Sequence, residues 1–377
     1  MKYRTFNKTG EQVSLLAFGA MRLPVIDRDM TKIDEPLAID MIRKAIDAGV
    51  NYVDTAYPYH GGVSEVIVGK ALADGYREKV LIADKYPTWF TESENSVSHF
   101  LDEQLKRLST DVIDIYLIHG INKSNWELVK AHNILRALEK EKTAGKIKHI
   151  GFSYHDDPEF FKEVIDAYPW EICQIQLNFM DKNFQAGVDG LKYAAEKGIP
   201  VVVMEPLKGG KLTDSIPPSV TKLWEQAGEV CSPAEWAFKW VADFPEVLTI
   251  LSGMSTMEQV EENLRILSDL EANNLTEKER ALIDAVSAEY NSLIPYSCTA
   301  CGYCLPCPSN IPIPQIIEQR NEWEIYKNPK IKSIFRMWTP KEHYPSNCTK
   351  CGACEEKCPQ ALPISDIMAE AAAILEG

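Results

Sequence analysis

Pro36-Leu37-Ala38-Ile39-Asp40-Met41-Ile42-Arg43-Lys44-Ala45-Ile46-Asp47-Ala48-Gly49-Val50-Asn51-Tyr52-Val53-Asp54 reads as one helix, one turn and one strand. Leu37, Met41, Ile42, Ala45 and Ile46 recur at helical spacing and line one face. Pro36 suits the first turn, where its missing N–H costs nothing, and Gly49 suits the position just past the end. Tyr52-Val53-Asp54 then reads as a short apolar strand ending on a carboxylate. The same theme returns at Gly145, followed by an apolar stretch to Ser153, and at Gly198, followed by one to Met204. Apolar runs predict strands at 15–18, 52–54, 80–83, 113–118, 147–153, 172–177, 199–204 and 247–251. Eight parallel strands alternating with helices close into a (β/α)8 TIM barrel, an α/β fold of ~250 residues. The competing open, doubly wound sheet calls for a G-x-G-x-x-G turn after its first strand. The sequence has none.

Thr276 and Glu279 form a capping box for a helix running to about residue 290. The domain boundary is expected there, with a barrel over 1–290 and a small, mainly α-helical ferredoxin-like domain over 291–377. Eight of the ten cysteines lie in that tail, in two runs: Cys298, Cys301, Cys304 and Cys307 before Pro308, then Cys348, Cys351, Cys354 and Cys358 before Pro359. Three thiolates at two-residue gaps suit one corner of an iron–sulfur cube, and a fourth before proline reaches the other cube in two-cluster ferredoxins. A disulfide framework would scatter its cysteines through a small secreted chain. Structural zinc needs only four ligands, usually as two separated pairs, so a third cysteine at the same gap is surplus. Two 4Fe–4S clusters are therefore expected. The first run closes one residue shorter than the ferredoxin spacing, which leaves open the cube that Cys307 serves. Cys173 and Cys231 stand outside both runs.

The formal charge of −15 argues against nucleic acid as a partner. No run approaches 18 apolar residues, so no membrane span is expected. The polar start of the chain and the oxygen-sensitive clusters together suggest the cytoplasm.

Catalytic groups of such barrels sit at the carboxyl ends of strands. Those ends carry Asp54, Lys85, His119, Ser153, Gln174 and Met204, with Tyr59 close after the first of them. Each has a bland reading alone, as a cap, a surface charge or a satisfied rim histidine. Together a carboxylate, an ammonium, an imidazole and a phenol make a constellation that handles protons.

The stretch Asp54-Thr55-Ala56-Tyr57-Pro58-Tyr59, with Gly61, Ser64 and Glu65, resembles the aldo/keto reductase signature. So do Lys85 after Leu81-Ile82-Ala83, the run from Asp114 to His119, and Gly145-Lys146-Ile147 through Gly151-Phe152-Ser153. The tail resembles the ferredoxin extension of one branch of that superfamily. The resemblance implies a nicotinamide cofactor, NADP or NAD, a small carbonyl substrate, and the tetrad Asp54, Tyr59, Lys85 and His119. Positions matching Ser153 and Gln174 hold the nicotinamide amide in the family. The matching position for an aromatic ring stacked on the nicotinamide is Met204, followed by Glu205-Pro206-Leu207. Gly209 and Gly210 permit close backbone approach to a phosphate, with Lys208 and Lys211 beside them. The last phosphate-binding segment matches Ser252-Gly253-Met254-Ser255-Thr256 and leads to Gln259, Glu262 and Asn263. Gln259 stands where an arginine often meets the 2′-phosphate, and Tyr154 stands where the family usually has asparagine.

A nearby ammonium favours the phenolate, so Lys85 is expected to pull Tyr59 down toward working pH. Trp89, Phe90 and Tyr57 follow strand ends and are expected to wall an apolar substrate pocket. A hydride carries two electrons, whereas a 4Fe–4S cluster passes one at a time. A flavin handles both modes and would bridge them in a flavin-dependent reductase on the same barrel; otherwise the clusters exchange electrons elsewhere, as with a redox protein partner, or are structural, and a redox-sensing or partner-docking protein is the non-enzymatic alternative.

Overall fold

The computed structural model describes all 377 residues except Arg28, 228–230 and 299–300. Two compact units emerge: Met1–Gly209 with Ala234–Thr276, and Gly210–Pro233 with Glu277–Gly377.

The first unit opens with an antiparallel hairpin, β1 (Tyr3–Thr5) and β2 (Gln12–Ser14). Eight parallel strands follow: β3 (Leu16–Gly19), β4 (Tyr52–Asp54), β5 (Leu81–Tyr86), β6 (Ile113–Ile121), β7 (Ile147–Tyr154), β8 (Ile172–Gln176), β9 (Val201–Met204) and β10 (Val247–Gly253). They close in sequence order, β10 pairing back onto β3 with Ile250 beside Leu16 and Gly253 beside Gly19. The expected barrel is thus present.

Local chemistry accounts for its parts. The helix Glu35–Asp47 starts where the Asp34 carboxylate accepts from the Leu37 N–H at 3.3 Å, and Gly49 takes φ +101° past its end. In β7, a Cβ on Gly151 would stand 2.4 Å from the Ile172 carbonyl oxygen, so only glycine lets β7 and β8 approach there. Phe6 and Val13 of the hairpin region join Tyr52, Ile115, Leu117 and Val202 in one buried cluster. Each such side chain, fully buried, stabilises by about 1.5–3 kcal/mol.

The second unit has no strand among its described residues. The helix Glu277–Ser292 packs against Pro218–Glu225, and the Tyr290 ring lies 5.9 Å from that of Tyr326. Compactness therefore groups this helix, and the segment 210–233, with the cysteine-rich tail, whereas the sequence reading ends the barrel domain after it. Ile313–Tyr326 and Ile364–Ala371 follow the two Cys-Pro segments. Arg320 joins them by an ion pair to Glu370 at 2.9 Å. No helix of the described residues is long and apolar enough to cross a membrane.

Candidate active site and cluster pockets

Asp54 ends β4 and Lys85 lies near the end of β5, one step round the barrel, so their side chains meet inside it. The Lys85 ammonium donates to Asp54 Oδ1 at 2.6 Å and to the Thr55 carbonyl oxygen at 2.7 Å. Both residues are about 1% exposed. Lys85 Nζ also stands 4.9 Å from the centre of the Tyr59 ring. Tyr59 is held there by a tight turn in which His60 adopts φ 54° and Gly61 φ 65°. Burial fixes His60 as well, its ring bonding the Met30 carbonyl oxygen at 2.7 Å and the Leu23 N–H at 3.2 Å. His119, on β6, places its ring edge-on to Tyr59, with centres 6.0 Å apart. The four predicted tetrad residues thus converge.

Their electrostatics oppose one expectation. Burial raises the Tyr59 phenol above its ordinary value, and Lys85 offsets this only in part. The phenol is held protonated rather than drawn toward neutrality, because desolvating a phenolate costs more than the ammonium returns. Burial disfavours the Lys85 ammonium, but Asp54, with Tyr59 and Asp84, overcomes this and holds its pKa above the usual lysine value. Burial and then the Lys85 charge hold His119 well below the ordinary imidazole value, so its ring is neutral.

Behind Lys85, on the outer face of β5, lies a buried polar layer absent from the sequence reading. Gln104 donates to Glu65 at 3.0 Å and to the Lys85 carbonyl oxygen at 3.1 Å, and accepts from the Tyr116 hydroxyl at 2.5 Å. Arg107 pairs with Glu65 at 2.7 Å. This layer fixes the strand that carries the ammonium.

Ser153 and Gln174 sit side by side on β7 and β8. The Ser153 hydroxyl oxygen accepts from the Gly120 N–H at 2.8 Å. Gln174 Nε2 reaches the Met204 sulfur at 3.5 Å, while its Oε1 is buried without a partner. An orphaned amide oxygen beside a thioether suits a planar ring bearing a carboxamide. Tyr154 faces the helix layer instead, its hydroxyl donating to the Asp157 carbonyl oxygen and its ring packed on Phe161 at 4.9 Å. Trp89 lies 4.9 Å from His119, and Trp89 and Phe90 are exposed.

Beyond β9 and β10 the candidate phosphate contacts divide. Pro206 and Leu207 lead from β9 into the turn Lys208–Gly210. Asn263 donates to Ser252 at 3.0 Å, and Gln259 accepts from the Ser255 N–H at 2.7 Å, closing the start of the helix Met257–Leu267. Met254 is buried. Lys208 is paired with Asp181 at 2.6 Å, and Lys211 belongs to the second unit, paired with Glu322. Neither lysine is left to complement a phosphate without giving up a carboxylate. Arg22, which the sequence reading passed over, crosses this region. A Cβ on Gly209 would stand 3.0 Å from its guanidinium and one on Gly253 3.2 Å from its side-chain carbons. No carboxylate pairs with Arg22 among the described residues. Its only sequence signal is a position just after the first barrel strand.

In the second unit all eight tail cysteines are unbridged. One cavity is lined by Cys298, Cys301, Cys304 and Cys358. Another is lined by Cys307, Cys348, Cys351 and Cys354, and Cys304 lines both. Each run therefore lends its last cysteine to the other, and Cys307 belongs with the second run despite its short spacing. Burial pushes the Cys304 thiol up, and Cys298, Cys301 and Cys358 add to the shift, which marks them as its neighbours. Among the described residues no three His, Cys, Asp or Glu side chains converge on a single-ion position. Cysteine sulfurs gathered from both runs around each cavity fit the donor set of an iron–sulfur cube.

Residues 15–288 match the model of the aldo/keto reductase family, and residues 297–362 match a 4Fe-4S dicluster domain. The chain belongs to the aldo/keto reductase family. It is an oxidoreductase built on a (β/α)8 barrel, followed in the sequence by a 4Fe-4S dicluster domain. L-galactose dehydrogenase of Arabidopsis thaliana is 28% identical, over 76% of this chain and 94% of that protein. The NADH-specific methylglyoxal reductase of Escherichia coli is also 28% identical, over 66% of this chain and 90% of that protein. Among solved structures, an aldo-keto reductase of Bacillus halodurans in its holo form superposes with a TM-score of 0.64 at 26% identity, covering 76% of this chain and 96% of that one.

Proposed function

We propose that the barrel reduces a small carbonyl compound with a nicotinamide dinucleotide, Tyr59 giving the proton, and that the tail holds two 4Fe–4S clusters. The observation that carries the reading is the buried Lys85–Asp54 pair set against the Tyr59 ring.

A bound nicotinamide supplies the hydride, which forms the new C–H bond. Tyr59, protonated at neutral pH, donates its O–H to the carbonyl oxygen, so the C=O π bond breaks as the alcohol O–H forms. Lys85 stabilises the phenolate left behind, and Asp54 keeps the ammonium aimed and charged. The neutral His119 ring orients the carbonyl oxygen by a hydrogen bond. Fixed donors of this kind act where charge develops and need no reorganisation during the reaction. Ser153 and Gln174 would hold the carboxamide, Met204 would pack against the ring, and Ser252, Gly253, Gly209 and Arg22 would meet the phosphates. The E. coli relative is named for NADH, and a Klebsiella pneumoniae relative of the same fold is solved with NADPH. Arg22 suits the pyrophosphate common to both cofactors.

Cys298, Cys301, Cys304 and Cys358 would hold one cluster, and Cys348, Cys351, Cys354 and Cys307 the other. Each cluster, when present, gives and takes one electron. The hydride step is complete without them. Ten unbridged cysteines and oxygen-sensitive clusters suit the cytoplasm.

Anaerobically purified protein should contain about eight irons and eight sulfides per chain, release no flavin on acid treatment, and oxidise NADPH or NADH only when an aldehyde or ketone is added. Bound flavin with no carbonyl turnover by either nucleotide would reject the nicotinamide reading.

A further inference from the structure

The second unit carries a surface unlike the rest of this acidic chain. The helix Pro329–Trp338 buries Ile331 and Phe335 on one side. On the other it exposes Ile334 (45%), Met337 (56%) and Trp338 (75%). Spacings of three and four residues place these three on one stripe of the helix. Large apolar side chains grouped in this way mark a contact surface more often than chance exposure does.

Charge singles out the same segment. Between Lys327 and Lys357 there are seven Lys or Arg residues against three Glu, in a chain whose formal charge is −15. Lys330 and Lys327 are partly neutralised, by Asp214 at 3.1 Å and Glu324 at 2.8 Å. Lys332 lies over the Trp323 ring at 4.6 Å, and Arg336 donates to the Lys332 carbonyl oxygen at 3.2 Å. Among the described residues, none of Lys332, Arg336, Lys341, Lys350 and Lys357 joins an ion pair. Two of them, Lys350 and Lys357, lie within the second cysteine run, and Lys357 lines the cavity of Cys307, Cys348, Cys351 and Cys354. The buried side of the helix packs toward the same place: Phe335 stacks on Tyr344 at 4.9 Å, a short step before Cys348. Cys351 is exposed.

We infer that the stripe Ile334–Met337–Trp338, on a segment that also carries Lys332, Arg336, Lys341, Lys350 and Lys357, docks a small acidic iron–sulfur electron carrier against the Cys307/Cys348/Cys351/Cys354 cluster. This rests on the reading that the tail holds clusters, but not on the carbonyl chemistry of the barrel. A small exposed apolar stripe on a basic segment suits a brief electron-transfer encounter rather than a permanent assembly. Opposite charge speeds the encounter, and the modest apolar area lets the carrier leave. The step moves one electron and no atoms. One electron would pass from the reduced carrier to the oxidised cluster in each encounter.

The test uses cluster-loaded protein and a reduced acidic 2Fe–2S ferredoxin as probe, with cluster reduction followed by stopped-flow absorbance. The second-order rate should fall at least tenfold between about 20 mM and about 300 mM salt. The pair Lys332→Glu and Arg336→Glu should cut it about tenfold or more at low salt, and Trp338→Ala about threefold. Reduction by dithionite and carbonyl turnover should stay unchanged in these variants. A rate indifferent to salt and to the charge reversals would overturn the proposal. So would a solution dimer disrupted by Trp338→Ala, or binding of these variants' parent to anionic lipid vesicles with no response to the ferredoxin. Loss of carbonyl turnover in the parent, with ferredoxin reduction intact, would strike the barrel reading alone.

Discussion

The barrel and the cysteine-rich unit solve opposite problems. In the barrel, Asp54 and Lys85 are withdrawn from water almost completely and satisfy each other across 2.6 Å. In the second unit, Cys301 and Cys351 stay exposed and the cysteines surround open space. The first site is complete as protein, held by strand register and by the Gln104–Glu65–Arg107 layer behind it. The second is a frame for an inorganic group, and ligand binding there is folding free energy. The contrast teaches that removing iron should loosen one half of the molecule and leave the chemistry of the other in place.

The largest expected effect lies in the barrel. Lys85→Met should lower kcat for aldehyde reduction by about 10²–10⁴, with the iron content unchanged. A loss smaller than tenfold would mean that the ammonium is structural. Asp54→Ala leaves a charge buried alone, and urea unfolding should show a loss of about 3–5 kcal/mol. An unchanged midpoint would mean that water or another side chain already compensates for Asp54. In the second unit, Cys358→Ala should remove the cluster bound mainly by the first run, and Cys307→Ala the cluster bound mainly by the second. Iron and sulfide should fall by half in each variant, and carbonyl turnover should persist. If each variant instead lost the cluster of its own run, the crossed arrangement would be wrong.

The smallest effect is a pH dependence away from both sites. Burial works against the Glu171 carboxylate, but His149 at 3.0 Å, Lys142 at 2.5 Å and the Ile150 N–H hold its pKa down to about 2. A lowered folded pKa means that the unfolded chain binds the proton first. The stabilisation is whole above the ordinary carboxylate range and is lost as pH falls through that range toward about 2. Glu171→Gln should therefore cost about 1–2 kcal/mol at neutral pH and flatten the acid limb of a stability curve. A variant whose acid limb keeps its slope would assign that limb to other carboxylates.

Much of this was readable beforehand, for reasons that differ by region. The barrel strands are short apolar runs after glycine, and a parallel sheet buried on both faces writes them that way. The hairpin of β1 and β2 escaped because Tyr3-Arg4-Thr5 and Gln12-Val13-Ser14 are too short and too polar to show a period. β6 runs on to Ile121, past His119 and Gly120, because pairing with Tyr154 carries it beyond its apolar stretch. The tetrad was legible because strand ends fix where side chains converge. The phenol's direction of shift was not, since Lys85 is visible in the sequence and the depth of burial is not. Lys211 misled for a similar reason: proximity to Gly209 in sequence says nothing about Glu322. The crossing of Cys307 and Cys358 depends on how the two runs face each other, which spacing alone leaves undetermined.

As proton donor of the proposed carbonyl reduction, Tyr59 acts through its one phenol oxygen. Tyr59→Phe keeps the ring beside Lys85 and removes one oxygen, so steady-state reduction of a test aldehyde, with nucleotide affinity measured alongside, is the direct measurement. A fall in kcat of about a hundredfold or more is expected, with nucleotide binding and iron content intact. Turnover within a fewfold of the parent would contradict it.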